Sequence, residues 1–199
     1  MTALAPIGAD AVHVVVDMQR LFAEDTGWLV PTIDSVVPNI CRLIDHRPGR
    51  ALYPRFVTPK NPEAAFGNWQ AFYRRWPQVT QDRLSSPALF DLMASLASRA
   101  PAQAQIDKPG FSSFSTPDFA RALARLGAGA LVLSGVETDA CVLATAFDAI
   151  DRGHRVIVAS DAVTSFSLEA HRATLEHLYP RFAPLLDLAT TSDIIAAWE

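Results

Sequence analysis

Short apolar runs alternate with longer amphipathic segments along almost the whole chain, and this alternation limits the possible folds more than any other feature. Short runs rich in Val, Ile and Leu are typical of parallel strands buried on both faces, and the longer segments are typical of the helices that connect them. The predicted strands are Val12–Val16, Ala51–Val57, Gln103–Ile106, Ala130–Ser134, Val156–Ala159 and Leu185–Leu188. The predicted helices are Val36–Ile44, Leu89–Ala97, Phe119–Leu126, Cys141–Ile150 and Ser167–Leu178. No repeat or linker interrupts this order, so we predict one three-layer α/β domain over residues 1–199.

The composition excludes several classes of protein. The chain has 199 residues and a net charge of -4, and no run of Lys or Arg stands out, which argues against a nucleic-acid partner. No apolar run is long enough to cross a bilayer, and Met1–Asp10 lacks the features of a signal peptide, so we expect no membrane partner. A disulfide between the two cysteines, Cys41 and Cys141, is not expected, because nothing else indicates an oxidising compartment. A cytoplasmic protein is therefore expected.

Three polar residues stand where predicted strands end. Asp17 follows the first strand, Lys108 follows the third, and Cys141 opens the helix after the fourth. Ligands of open α/β sheets bind outside the carboxyl ends of the strands, so the three side chains are predicted to share one edge of the sheet. A thiol at a helix start is favoured as thiolate by free N–H groups, by the helix dipole and by a nearby ammonium. A carboxylate in reach can take the thiol proton, which makes this set a candidate nucleophilic site.

A purely structural role is the alternative for each of these residues. A lone cysteine in an apolar helix is often a small core residue, and Cys41 is interpreted in that way. An Asp that closes a strand often caps a turn. Spacing alone therefore leaves the role of Cys141 open. His13 is interpreted as a core or strand-packing residue rather than a ligand.

Four segments together resemble the isochorismatase-like cysteine hydrolases, a family that includes nicotinamidases, N-carbamoylsarcosine amidohydrolases and isochorismatases. Val14–Phe22 resembles the first signature of that family, in which Asp-Met-Gln and a later Phe follow the first strand. Asp107–Phe114 and Gly135–Val142 resemble the second and third signatures, and Ser160–Ala162 resembles the acidic turn after the next strand. The segments occur in the order of the family and cover nearly the whole chain.

The resemblance implies both a fold and a site. It implies a Rossmann-like, mainly parallel, six-stranded sheet of order 3-2-1-4-5-6 with helices on both faces. It also implies a catalytic triad of Asp17, Lys108 and Cys141, a non-proline cis peptide between Val136 and Glu137, and an oxyanion hole built from the N–H groups of Glu137 and Cys141. We expect this chain to need no cofactor, and, since related enzymes are usually dimers or tetramers, we expect a homo-oligomer.

The chain departs from the resemblance after the second strand. Nicotinamidases of the family have an Asp-x-His metal motif there, whereas Tyr53–Pro59 contains no histidine, so no metal is expected. Arg55 occupies that place, and it is predicted either to contact an anionic group of the substrate or to form a surface salt bridge.

A group of aromatic residues follows this segment. Phe66, Trp69, Tyr73 and Trp76 recur at helical spacing, which is typical of a stripe packed on the core. The functional alternative is that Trp69 and Phe22 form the walls of a small apolar pocket over the cysteine.

The expected function is hydrolysis of a small amide or ureido C–N bond through a thioester on Cys141. One alternative is the isochorismatase reaction, hydrolysis of a vinyl ether, which requires an acid rather than a thiol. A second is a non-catalytic binding protein that retains the fold. Glu137 occupies a position where many amidases of the family have a small residue, so the substrate itself stays open.

Overall fold

A computed structural model describes residues 4–199, and its centre is one six-stranded parallel sheet of order β3-β2-β1-β4-β5-β6. The strands are β1 (Val12–Val16), β2 (Ala51–Phe56), β3 (Gln105–Lys108), β4 (Ala130–Val136), β5 (Arg155–Thr164) and β6 (Leu186–Ala189). The predicted strand order is thereby confirmed. Residues 1–3, which belong to the segment in which no signal peptide was predicted, lie outside the described residues.

The burial of each strand follows from its position in the sheet. Every residue of β1 and β4 is buried, because these two strands pair with each other in the middle of the sheet. The outermost strands, β3 and β6, are short and carry exposed or half-buried positions. All six predicted strands are found, but the third lies two residues later than predicted, so that Lys108 is its last residue.

Helices pack around the sheet. They are α1 (Arg20–Ala23), α2 (Ile33–His46), α3 (Trp69–Arg75), α4 (Ala94–Ala97), α5 (Pro117–Leu126), α6 (Cys141–Asp151), α7 (Leu168–Ala173) and α8 (Thr191–Ala197). The connection from β1 to β2 runs in the opposite direction along the sheet from the connection between β4 and β5. Since parallel crossovers are right-handed, α2 and α6 cover opposite faces. α8 packs beside α2.

The predicted helix over Leu89–Ala97 is wrong in its first half. Pro87–Phe90 is a 3-10 turn, and only Ala94–Ala97 is α-helical. Between them the chain is held against the segment that follows β1, since Arg20 donates its N–H to the Asp91 carbonyl and Met93 donates to that of Met18. Hydrophobic periodicity contains no information about this backbone pairing.

Two further differences concern the C-terminal third. The predicted helix Ser167–Leu178 is α-helical over Leu168–Ala173 and then widens into a π-helix over Thr174–Leu178. Helix α8 was not predicted, although Thr190 and Asp193 form a capping box at its start, a recognisable signal. No helix within residues 4–199 combines the length and the apolar character that crossing a membrane requires.

His13 is buried in the centre of the sheet and should make the fold sensitive to acid. Its Nε2 lies 2.8 Å from the hydroxyl of Ser134, and burial lowers its pKa from 6.5 to about 3. Below pH 6.5 the unfolded chain binds a proton that the folded chain does not, so stability is lost as the pH falls towards 3. The loss attributable to His13 should approach about 1.4 kcal/mol per pH unit, or about 3 kcal/mol at pH 4.5.

Urea unfolding of the wild type and of His13→Gln at about pH 7 and about pH 4.5 would measure this loss. The glutamine keeps a polar group near Ser134 and does not titrate, so the variant should lose less stability on acidification than the wild type. Equal losses in the two proteins would contradict the assignment.

Candidate active site

Three side chains separated by most of the length of the chain meet at the carboxyl edge of the sheet. Asp17 directly follows β1, Lys108 ends β3, and Cys141 is the first residue of α6. The Lys108 Nζ lies 2.9 Å from Oδ2 of Asp17, and both side chains are fully buried. Cys141 is only 5% exposed, and the charges of Asp17 and Lys108 both act on its pKa. The structure therefore brings a thiol, a carboxylate and an ammonium into one crevice.

The backbone at Asp17 is in an unusual conformation. Asp17 has φ 52, in the left-handed region, where Asp is tolerated better than most residues. Its N–H donates to the carbonyl of Pro54, and its own carbonyl accepts from the N–H of Gln19. The Gln19 side chain in turn binds both backbone groups of Phe56 at the end of β2. These contacts fix the turn that presents the Asp17 carboxylate.

Gly135 allows β1 and β4 to come close together beside this turn. It has φ 103, and a Cβ at this position would lie 2.1 Å from the carbonyl oxygen of Val16. Only glycine combines this conformation with so close an approach of two backbones. The site therefore depends on glycine at the end of β4.

Lys108 crosses the ring of Phe56 to reach Asp17. Its Nζ lies 4.5 Å from the ring centroid and donates three hydrogen bonds of 2.9 Å, to Asp17 Oδ2 and to the carbonyls of Gly110 and Phe111. An ammonium has three donors, so every one of them is satisfied. This explains how a lysine can be fully buried.

The protonation of the thiol differs from the sequence-based expectation. Burial raises the pKa of Cys141 well above its usual value, and the neighbouring charges of Asp17 and Glu137 add to the increase against the opposing effect of Lys108. Burial also raises the pKa of Asp17, an effect that Lys108 opposes. These effects favour the thiol over the thiolate, because burial outweighs the opposing charge of Lys108. Attack by sulfur then requires a base.

Asp17 has an oxygen free for that role. Within the described residues its Oδ1 is buried without a hydrogen-bond partner, although its Oδ2 is bound to Lys108. The Cys141 thiol is close enough to affect the pKa of Asp17, but it completes no hydrogen bond of normal geometry with Oδ1. The arrangement leaves one carboxylate oxygen available to accept a proton.

The loop between β4 and α6 presents two N–H groups. The peptide bond between Val136 and Glu137 is cis, as the resemblance implies. The carbonyl of Glu137 accepts from the N–H groups of Ala140 and Val142, which turns the loop towards the helix. Within residues 4–199 neither the Glu137 N–H nor the Cys141 N–H donates to a backbone or side-chain acceptor. Both are therefore free to bind an oxygen.

Thr138 anchors the other side of this loop. Its N–H donates to the carbonyl of Thr164, and its own carbonyl accepts a 2.8 Å hydrogen bond from the hydroxyl of Tyr179. Tyr179 directly follows the π-helix Thr174–Leu178, a type of helix that is frequent at functional sites. The loop is consequently held from two elements besides its own.

A cavity of about 260 Å³ opens above Cys141. Its walls are mainly aromatic, and apart from the thiol their one ionisable side chain is Glu137. The lining residues are Phe22, Gly27, Trp28, Phe56, Phe72, Trp76, Phe111, Glu137, Cys141 and Phe166. We call this space the aromatic pocket. It fits a small, largely apolar molecule.

The predicted substrate-binding residues are placed differently from one another. Phe22 lines the aromatic pocket, whereas Trp69 lines a neighbouring cavity and packs behind Phe111 at 4.8 Å between ring centroids. Arg55 is not at the site, since its Nη2 forms a 2.7 Å salt bridge with Oδ1 of Asp107. Side chains alternate along a strand, so the ring of Phe56 faces the site and Arg55 faces away from it. The salt-bridge alternative for Arg55 is the correct one.

The predicted aromatic stripe is found only in part. Helix α3 covers Trp69–Arg75 alone, and Phe66, which precedes it, is 90% exposed. Tyr73 is buried in the core, as the stripe predicts, while Trp76 reaches the aromatic pocket.

Several lining residues were not predicted. Phe56 lies within Tyr53–Pro59, the segment that replaces the metal motif of nicotinamidases, and Phe111 follows Lys108 closely. Their closeness to these positions is the signal that indicates a place at the site. Trp28 and Phe166 lie outside helices and strands, where no periodicity indicates which way a side chain points.

The residues after β2 do not fit the metal site of nicotinamidases. No histidine is present between Tyr53 and Pro59. Across residues 4–199, no group of three or more His, Cys, Asp or Glu side chains is placed to hold a metal ion.

The chain is similar to several known proteins. A family model described as the Isochorismatase domain matches residues 11–190. Nicotinamidase 3 of Arabidopsis thaliana is 25% identical over 182 residues, which cover 89% of this chain and 84% of that protein. An uncharacterized isochorismatase family protein PncA of Bacillus subtilis (strain 168) is 42% identical over 72 residues, which cover 36% of this chain and 39% of that protein. The chain thus spans less than half the length of this second relative.

The fold is likewise similar to that of a solved structure. The crystal structure of a cysteine hydrolase from Pseudomonas syringae pv. phaseolicola 1448A superposes with a TM-score of 0.81 and 22% identity, over 99% of this chain and 98% of that one. The family model covers most of the residues that the sheet and its helices comprise. The chain therefore belongs to the isochorismatase family of hydrolases.

Proposed function

We propose that this hydrolase cleaves the C–N bond of a small amide or ureido substrate, with Cys141 as the nucleophile. The observation that supports this most is that Cys141, which lines the aromatic pocket, is buried together with the ion pair of Asp17 and Lys108. The relative whose name is nicotinamidase supports an amide-type bond.

The first step is attack of the sulfur on the carbonyl carbon. Oδ1 of Asp17 accepts the thiol proton as the C–S bond forms, so that no free thiolate has to exist in a buried site. Burial raises the pKa of Asp17, which makes its carboxylate a stronger base for this transfer. The N–H groups of Glu137 and Cys141 donate to the oxyanion of the tetrahedral intermediate.

The second step releases the nitrogen. Asp17 returns its proton to the leaving nitrogen, the C–N bond breaks, and ammonia or an amine departs while the acyl group stays on Cys141 as a thioester. Water then enters, Asp17 removes a proton from it, and hydroxide adds to the thioester carbonyl. In the collapse of this intermediate the C–S bond breaks, the acid is released, and Asp17 returns the proton taken from water to the sulfur of Cys141. Lys108 keeps the carboxylate oriented throughout.

Ammonia release is the first test of this function. A panel of small primary amides, carbamoyl amines and ureides should yield ammonia with the wild-type protein and none with Cys141→Ala. Acid quenching of a productive reaction, followed by intact-protein mass spectrometry, should show the substrate mass minus ammonia added at Cys141.

Two results would contradict the proposal. Turnover of isochorismate without a covalent adduct would favour vinyl-ether hydrolysis. Binding of panel members with no turnover and no adduct would favour a protein that retains the fold without the chemistry.

A further inference from the structure

The aromatic pocket contains one carboxylate without a cationic partner. Oε2 of Glu137 accepts the N–H of Phe166 at 2.9 Å, and among the described residues no Lys, Arg or His forms a salt bridge with Glu137. Burial raises the pKa of Glu137, with the charges of Asp139 and Asp17 adding to it. A half-buried carboxylate without a counter-charge is costly, so its presence calls for a partner.

The walls around Glu137 suit a cation as well. Seven aromatic rings line the pocket. The negative faces of such rings attract ammonium groups, and the attraction grows when water is excluded. An anionic group in the same place would meet Glu137 with no positive side chain among the lining residues, since the Lys108 ammonium is committed to Asp17 and two carbonyls.

We infer that the substrate is a cationic amide, whose alkylammonium or quaternary ammonium group lies among the aromatic rings beside Glu137 while its carbonyl lies over Cys141. This inference rests on the proposed function and names its substrate class. The cavity of about 260 Å³ equals the volume of about nine waters at roughly 30 Å³ each, so the cation and the amide are close together in one small molecule. Anionic amides are excluded.

Three amides of similar size separate charge from shape. Betaine amide carries a trimethylammonium group, tert-butylacetamide replaces that group with its neutral carbon isostere, and malonamate carries a carboxylate. The wild-type protein should hydrolyse betaine amide with kcat/KM at least about tenfold above the isostere and should not hydrolyse malonamate measurably. Equal kcat/KM for the cation and its isostere would overturn the inference, and no variant is needed to see it.

The variant Glu137→Gln tests whether this side chain causes the preference for betaine amide over its neutral isostere. Glutamine retains an oxygen that can accept the Phe166 N–H, so a role confined to holding the loop would leave the ratio of the two kcat/KM values unchanged. Loss of the charge should bring that ratio to within about threefold of unity, mainly through a higher KM for betaine amide. An unchanged ratio in a folded variant would overturn the assignment.

A binding measurement distinguishes failure of this inference from failure of the proposed function. Calorimetric titration with choline and with its tert-butyl isostere requires no turnover. Choline should bind the wild type at least about tenfold more tightly than the isostere, and Glu137→Gln should remove the difference. Selective binding without hydrolysis of any amide would contradict the proposed function alone. Hydrolysis without selectivity would contradict the cationic substrate alone.

Discussion

Replacing Cys141 with alanine should lower kcat/KM by at least about 10⁴-fold, because no other group in the pocket can form the acyl intermediate. The fold should survive, since the change removes one sulfur atom from the start of α6 and leaves the pair of Asp17 and Lys108 intact. Steady-state kinetics on whichever panel member releases ammonia, together with a urea melt, would measure both effects.

Two matched variants sharpen this prediction. Cys141→Ser keeps a nucleophilic atom of similar size, but a hydroxyl is far harder to activate than a thiol, so its activity should also be close to that of the alanine variant. Cys41→Ala changes the other free cysteine, which lies in α2, and should keep full activity. An active Cys141→Ala protein would remove the thiol from the mechanism.

Replacing Lys108 with methionine should destabilise the protein by about 3–5 kcal/mol and abolish turnover. The change removes the ammonium from a buried carboxylate and leaves the carbonyls of Gly110 and Phe111 without their donor. The pKa of Asp17 should rise further, since Lys108 is the charge that lowers it. A protonated Asp17 could no longer accept the thiol proton.

The pH dependence of this variant has a definite sign. A carboxyl whose pKa is raised in the folded state binds protons there more strongly than in the unfolded chain, so it costs stability as the pH rises through that pKa. The destabilisation caused by Lys108→Met should therefore be smallest in mild acid and increase towards neutral pH. Urea unfolding at several pH values would show it.

The double variant Asp17→Asn with Lys108→Met supplies the control. It buries no charge at this position, so it should recover much of the lost stability and lose the pH dependence, while staying inactive. If the double variant were as unstable as the single one, packing rather than an uncompensated charge would be the cause.

Most of the sheet could be predicted because its strands are short apolar runs, and burial on both faces requires such runs. The third strand was placed too early, since Ala102–Ala104 belongs to a 3-10 turn. Leu89–Ala97 was predicted as helix because periodicity describes side chains, whereas the backbone hydrogen bonds of Asp91 and Met93 with the chain after β1 decided the outcome.

Asp17, Lys108 and Cys141, the residues proposed to react, were identified through motifs, but the side chains around them were not. Arg55 and Phe56 differ by one position, and the alternation of strand side chains decides which of them faces the site. The expectation of a thiolate at Cys141 took account of the helix dipole and Lys108 but not of burial, which raises the pKa of the thiol. The charge of Lys108 does lower that pKa, but burial has the larger effect, and the ammonium also binds Asp17.

The groups proposed to react and the aromatic walls around them come from different parts of the chain. Asp17 and Lys108 belong to the ends of strands, and Cys141 begins a helix that the sheet supports. Most of the rings that face them come from segments joining the strands, such as Trp28, Phe111 and Phe166. Substitutions in these segments change the walls of the aromatic pocket and leave Asp17, Lys108 and Cys141 in place. A library of variants restricted to these segments would therefore test other substrates while the side chains proposed to react stay unchanged. This makes the fold a convenient starting point for enzyme engineering.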